Sequence, residues 1–143
     1  MKPIIFSAVF LLAFSTASAQ KSNSKLQDPD CAKAVTQSEL NECSCKQFHN
    51  ADAEMNSVYR KLVSLHAKDE LFISKLRNAQ RAWLAFRDAQ LEAIFPDKDP
   101  RIAYGSSYTM CYCANQRWLT EERTKQLKMM LNDEEGDLCS WSR

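Results

Sequence analysis

Six cysteines are the residues best equipped for chemistry, at positions 31, 43, 45, 111, 113 and 139. Two pairs have Cys-x-Cys form, Cys43/Cys45 and Cys111/Cys113, and His49 follows Cys45 by four residues, a metal-ligand spacing on a helix. Disulfide bonding competes with that reading. On a continuous helix, residues two apart point about 200° apart. Cys43 and Cys45 then cannot face one ion, nor easily bond each other, and opposite faces suit two different partners. An even cysteine count in a small exported chain implies disulfides. Fifteen complete pairings are possible, and spacing does not choose among them.

The second candidate is the stretch Asp97 to Tyr108. It holds Lys98, Arg101, Tyr104, Ser106, Ser107 and Tyr108 on a segment stiffened by Pro96 and Pro100. It reads as an irregular surface loop, and exposed Tyr and Arg on a pre-organised loop are the usual anchors of protein recognition. The plainer alternative is a helix connection in which Gly105 supplies a turn and Ser106 or Ser107 caps the next helix. No nucleophile elbow, phosphate loop or HExxH motif is present, which argues against an enzyme.

Helices must position these groups. Leu76 to Asp88 has no Gly, Pro or β-branched residue, and Phe72, Leu76, Ala79, Trp83 and Phe86 recur at steps of three and four. This predicts a central helix from about Glu70 to Ile94. Thr36 to Glu39 has capping-box form and opens a long helix reaching about Ala67, with Asn50 as the candidate kink and Lys68-Asp69 as the break. A last helix carries Tyr108, Cys111, Asn115, Trp118, Leu119, Gln126, Leu127 and Met130 and ends near Asn132. Tyr59, Trp83, Phe86 and Trp118 are expected in the core. Nothing alternates with period two, so the fold class is all-α: a small antiparallel bundle of about three main helices, stapled by disulfides.

The ends of the chain bound the domain. Lys2, the apolar run Ile4 to Phe14 and Ala17-Ser18-Ala19 have the form of a cleaved signal peptide over residues 1–19. The run is too short for a bilayer span, which needs about 20 apolar residues. Removing 19 of 143 residues leaves 124, one domain's worth. Residues 20–29 read as a flexible leader, 30–132 as the helical domain and 133–143 as an acidic tail. Trp141 in that tail is either packed by a Cys139 bridge or exposed. The full chain has 19 basic and 18 acidic residues. Losing Lys2 leaves 18 of each, with no basic stripe for nucleic acid and no surplus to steer a charged partner.

Four blocks in order carry a resemblance to a family. They are Cys31 with Thr36-Gln37-Ser38-Glu39-Leu40-Asn41-Glu42-Cys43; Ala51 to Tyr59; Ala79-Gln80-Arg81-Ala82-Trp83-Leu84-Ala85-Phe86-Arg87-Asp88-Ala89; and Gly105-Ser106 with Leu119-Thr120-Glu121-Glu122-Arg123 and Leu127. Nearly all of Asp30 to Leu131 resembles the LprI-like lysozyme inhibitor family of small exported helical domains. The resemblance implies a periplasmic or secreted, protein-binding domain with no cofactor and no catalysis, which blocks a lysozyme's active-site cleft sterically. It also implies a Cys31–Cys43 disulfide. A second family cysteine pair is replaced by Gln90 and Asn115, so the family's second bridge does not carry over. Asp52, Glu54, Arg87, Asp88 and Arg123 match charged family positions. They are either acid–base groups or, on the plainer reading, ion pairs between helices, with Asp52 facing Arg87 or Arg123. Two other functions stay open: an envelope interaction module of the same fold without lysozyme inhibition, and a Cys-x-Cys metal-binding protein.

Overall fold

The computed structural model describes residues 31–131. The signal peptide, the leader, the acidic tail, Cys139 and Trp141 lie outside the described residues. Cys31–Lys33 form a short 3-10 turn, followed by α1 (Gln37–Leu65), α2 (Glu70–Ile94), the short α3 (Pro100–Tyr104), a second 3-10 turn (Gly105–Ser107) and α4 (Tyr108–Met129). No strand occurs among the described residues. No described helix is long and apolar enough to cross a membrane.

α1 and α2 start where local chemistry satisfies their free amides. The Thr36 hydroxyl accepts from the Glu39 amide, and the Glu39 carboxylate accepts from the Thr36 amide, so both halves of the capping box form. Those backbone amides hold the Glu39 carboxyl below its ordinary pKa of 4.5. Asp69 ends the α1–α2 turn and caps α2 through the Phe72 amide at 2.8 Å. α1 runs unbroken through Asn50. The main helices are three, as the periodicity predicts, and they run up, down and up.

Two registers fix this topology. Asn41 meets Met110, Cys45 is bonded to Cys113, and Glu54 pairs with Lys128, so α1 and α4 run parallel. Gln80 meets Arg123 and Phe95 meets Tyr108, so α2 runs antiparallel to α4. The Cα atoms of Cys45 and Cys113 are only 4.8 Å apart. Such an approach needs small residues in the seam, and Ala51, Cys113, Thr120 and Thr124 are all buried. The buried threonines leave no orphan hydroxyl: Thr120 donates to the Gln116 carbonyl at 2.8 Å and Thr124 to the Thr120 carbonyl at 2.9 Å. Met55, Leu62, Leu76 and Leu127 form the core cluster, with Tyr59, Phe72 and Trp83 packed against it.

Two aromatic expectations fail. Phe86 is 53% exposed and Trp118 56% exposed. The inner line of α2 is marked by buried Leu76, Gln80 and Leu91. Phe86 points roughly 80–140° away from each of them by the helical period. On α4 the close seam with α1 is filled by threonines, which leaves Trp118 on the outer face. Trp83 does pack against the core.

Candidate functional site

The stretch between α2 and α4 is more ordered than the irregular loop that its prolines suggest. Asp99 caps α3 through the Ile102 amide at 3.3 Å, and Pro100 takes the first helical turn, where its missing amide costs nothing. Gly105 then ends α3 at φ 63°, a conformation that favours glycine. Neither serine caps α4 through its own side chain. The Ser107 hydroxyl instead donates to the Tyr104 carbonyl at 3.2 Å.

The cap for α4 comes from another helix. The Asn41 side-chain oxygen accepts from the Met110 amide at 3.1 Å, and its amide nitrogen donates to the Ser106 carbonyl at 3.0 Å. Gln37 donates to the same Asn41 oxygen at 2.9 Å, and the Ser44 hydroxyl donates to the Met110 carbonyl at 2.7 Å. One face of α1 thus holds the first turn of α4 and the 3-10 turn before it.

Aromatic rings brace the other side. Phe95 sits edge-on to Tyr104 and Tyr108, with centroids 5.4 and 5.2 Å away, and Tyr108 lies 5.6 Å from Tyr112. A hydrogen bond to the Asp97 carboxylate raises the Tyr104 hydroxyl above its ordinary pKa of 10.0. Burial raises Tyr112 in the same direction.

Tyr104, Ser107 and Tyr108 are therefore spent on support. Lys98, Arg101 and Ser106 stay exposed, beside Ile102 at 81% exposure. Among the described residues neither Lys98 nor Arg101 enters an ion pair. The result is a braced tip bearing two cations outside any ion pair among the described residues, one exposed apolar side chain, and two carboxylates bonded within the tip itself, Asp97 to Tyr104 and Asp99 to the Ile102 amide. Such a surface can grip carboxylates and fill a small apolar recess. Ile102 escapes sequence reasoning because a lone isoleucine in a loop carries no periodic signal.

The cysteines settle into two bridges, Cys31–Cys43 and Cys45–Cys113. Cys43 and Cys45 do take different partners, which removes both thiolates from metal binding. Among the described residues Cys111 is not in a disulfide, and Cys139, the sixth cysteine, lies outside them. Cys111 sits two residues from Cys113 on α4, so it points away from the α1 seam that Cys113 faces.

Among the described residues Glu54 pairs across helices with Lys128, but Asp52, Arg87, Asp88 and Arg123 form no interhelical ion pair. Asp52 accepts from Asn56, one turn along its own helix, at 2.8 Å. Arg87 pairs with its neighbour Asp88 at 2.8 Å, and its guanidinium lies 5.5 Å from the Trp83 ring centre. Arg123 is bound by neutral amides: its Nε donates to Gln80 at 3.1 Å and a terminal nitrogen to Gln126 at 3.0 Å. Burial lowers the Arg123 pKa. Gln80, itself buried, also directs its amide nitrogen at the Met55 sulfur at 3.5 Å. A neutral acceptor avoids desolvating a second charge beside Arg123.

Comparison with known proteins gives two matches. The model of a family described as lysozyme inhibitor LprI matches residues 29–127. An uncharacterized protein of Rhizobium meliloti (strain 1021) is 35% identical over 141 residues, covering 90% of this chain and 96% of that relative. No solved structure matches the chain.

Proposed function

We propose, from the premise that the chain belongs to the LprI lysozyme inhibitor family, that it binds a lysozyme through the tip between α2 and α4 and blocks the catalytic cleft. The observation that carries this reading is the pair of unpaired cations, Lys98 and Arg101, flanking exposed Ile102 on a braced support. A glycosidase cleft of this kind holds two carboxyl groups on either side of the scissile bond. A cation entering that cleft meets opposite charge in a partly desolvated site, where Arg can bond a carboxylate with both arms of its fork. The bracing matters because a tip that is already ordered loses little entropy on binding. The action is steric, so the domain binds and does no chemistry. The two disulfides and the family favour an extracytoplasmic setting, where the bridges persist.

The test is a cell-wall lysis assay against lysozymes of several classes, with the full chain and a Lys98→Ala/Arg101→Ala/Ile102→Ala variant. All three side chains are exposed, so folding is expected to be kept, and far-UV circular dichroism checks it. The variant should need about tenfold more protein, or greater, for half-inhibition. Equal inhibition by the variant would move the site away from the tip. No inhibition of any lysozyme by the oxidised, folded chain would overturn the reading and leave an interaction module of the same fold.

A further inference from the structure

A groove of about 620 Å³ runs between α1 and α2, away from the tip. Its lining includes three arginines, Arg77, Arg81 and Arg87, and one acid, Asp52. The Asp52 carboxylate already accepts from Asn56. Arg77 and Arg81 are exposed, and among the described residues neither is in an ion pair. Asp52 keeps its charge and Arg87 is already paired with Asp88, so the cations of the groove outside any ion pair are Arg77 and Arg81.

We propose that this groove is a second binding surface, which takes an extended acidic segment of a partner protein. The spacing of the guanidiniums selects that ligand. Arg77 and Arg81 are four residues apart on a helix, an axial step of about 6 Å. In an extended peptide, side chains on one face repeat every second residue, at about 6.7 Å. Acids at alternate positions thus meet Arg77 and Arg81 in turn. Arg87, already paired with Asp88, marks only the far end of the groove, about 15 Å along the axis from Arg77, a length that five extended residues cover. A single phosphate satisfies only one step of this ladder. A nucleic acid is disfavoured by the near balance of charge over the whole chain, 19 basic against 18 acidic residues.

The chain's own acidic run, Asp133 to Asp137, is too close to the end of α4 to span the groove. Its last acid is six residues beyond Leu131, a reach of roughly 20 Å. Leu131 and Phe72 pack on one cluster. Arg87 is fifteen residues up α2 from Phe72, about 22 Å along the axis, before any path around the helix is added.

The experiment is calorimetric titration of the full chain with an acetylated, amidated pentaglutamate peptide at low ionic strength. Saturable binding is expected, weakened about tenfold or more in Arg77→Glu/Arg81→Glu, whose fold is checked by circular dichroism. No saturable binding by the wild-type chain, or equal binding by the variant, overturns the proposal. Competition by inorganic phosphate as effective as by free peptide overturns it in favour of a point anion site. A full chain carrying Asp133→Asn, Glu134→Gln, Glu135→Gln and Asp137→Asn should bind the peptide with unchanged affinity. Tenfold tighter binding there would make the chain's own run the occupant and overturn the assignment to a partner. The Arg77/Arg81 variant should still inhibit lysozyme, so failure here and failure of the tip are separately visible.

Discussion

Removing the Cys45–Cys113 bridge should cost the domain more than removing Cys31–Cys43, although both are single disulfides. The long bridge spans a sequence separation of 68 and the short one 12. In the chain-entropy model, closing those loops removes denatured-state freedom worth about 4.4 and about 2.8 kcal/mol respectively. Position widens the gap. The long bridge lies in the α1–α4 seam, and Cys113 is buried there. The short one ties a 3-10 turn with no buried residue to the start of α1. Without it the turn frays while the three helices keep their packing. A domain of this size is stable by roughly 5–15 kcal/mol, so Cys45→Ala/Cys113→Ala should come close to the edge. At about 4–8 °C per kcal/mol, its melting temperature falls by roughly 20–30 °C.

The assay is urea and thermal unfolding followed by far-UV circular dichroism, for the wild type and both double variants without reductant. The denatured chain is less constrained when a long loop is opened, so the urea m-value should also rise in Cys45→Ala/Cys113→Ala. A cost under about 1 kcal/mol for the long bridge, or a larger cost for the short one, would refute the assignment of the α1–α4 seam as the stapled joint.

Three further predictions concern the polar joints. Asn41→Ala removes the cap that α1 lends to α4, and urea unfolding should show a loss of about 1–2 kcal/mol; a change within a few tenths would mean that water replaces the cap. Gln80→Leu leaves the Arg123 Nε without its acceptor, while Gln126 still holds a terminal nitrogen, and should cost about 1–3 kcal/mol; adding Arg123→Met should recover part of it, since the unpaired Nε is then gone, and a double variant less stable than Gln80→Leu would contradict this. The Glu39 carboxyl has a folded pKa below 4.5. Its cap contribution is therefore complete above that pH and is lost as pH falls through the lowered value. Amide exchange at Val35 and Thr36 should accelerate in acid relative to the helix interior, and Glu39→Gln should remove that pH dependence.

The helices were readable in the sequence because their signals are local. Thr36 with Glu39 and the stripe through Leu76 and Trp83 each depend on neighbours within a few turns. The joints were not readable, because they depend on which faces meet. Gln80 falls beside the apolar stripe and turns out buried, whereas Phe86 on the stripe turns out exposed. Asn41, a poor helix former inside a helix, was a faint sign of a tertiary role, and its partner 69 residues away could not be inferred. The charged family positions misled for a related reason. Their plainer reading placed Arg123 opposite Asp52, but a half-buried site favours a neutral amide over a second ion to desolvate. At the tip, composition pointed to the stretch but not to its division of labour, since only packing shows that Tyr104 and Tyr108 brace what Lys98 and Arg101 present.

That division bears on what family membership can mean for function. The blocks that carry the family resemblance place Asn41, Gln80 and Arg123 at the joints between helices, where they cap α4 and bridge α2 to α4. They define a scaffold. Lys98, Arg101 and Ile102 lie between the blocks, on a segment whose shape the scaffold fixes from both sides through Asn41 and the Phe95–Tyr104–Tyr108 rings. The stabilising residues hold the tip without being part of its outer surface. On the proposal that the tip binds the partner, substitutions there change the partner without unfolding the domain, while substitutions at Asn41 loosen the support of the tip and weaken binding through entropy rather than contact. If the tip is the binding surface, Asn41→Ala should lose inhibition in proportion to the disorder it introduces there, although Asn41 never touches the partner.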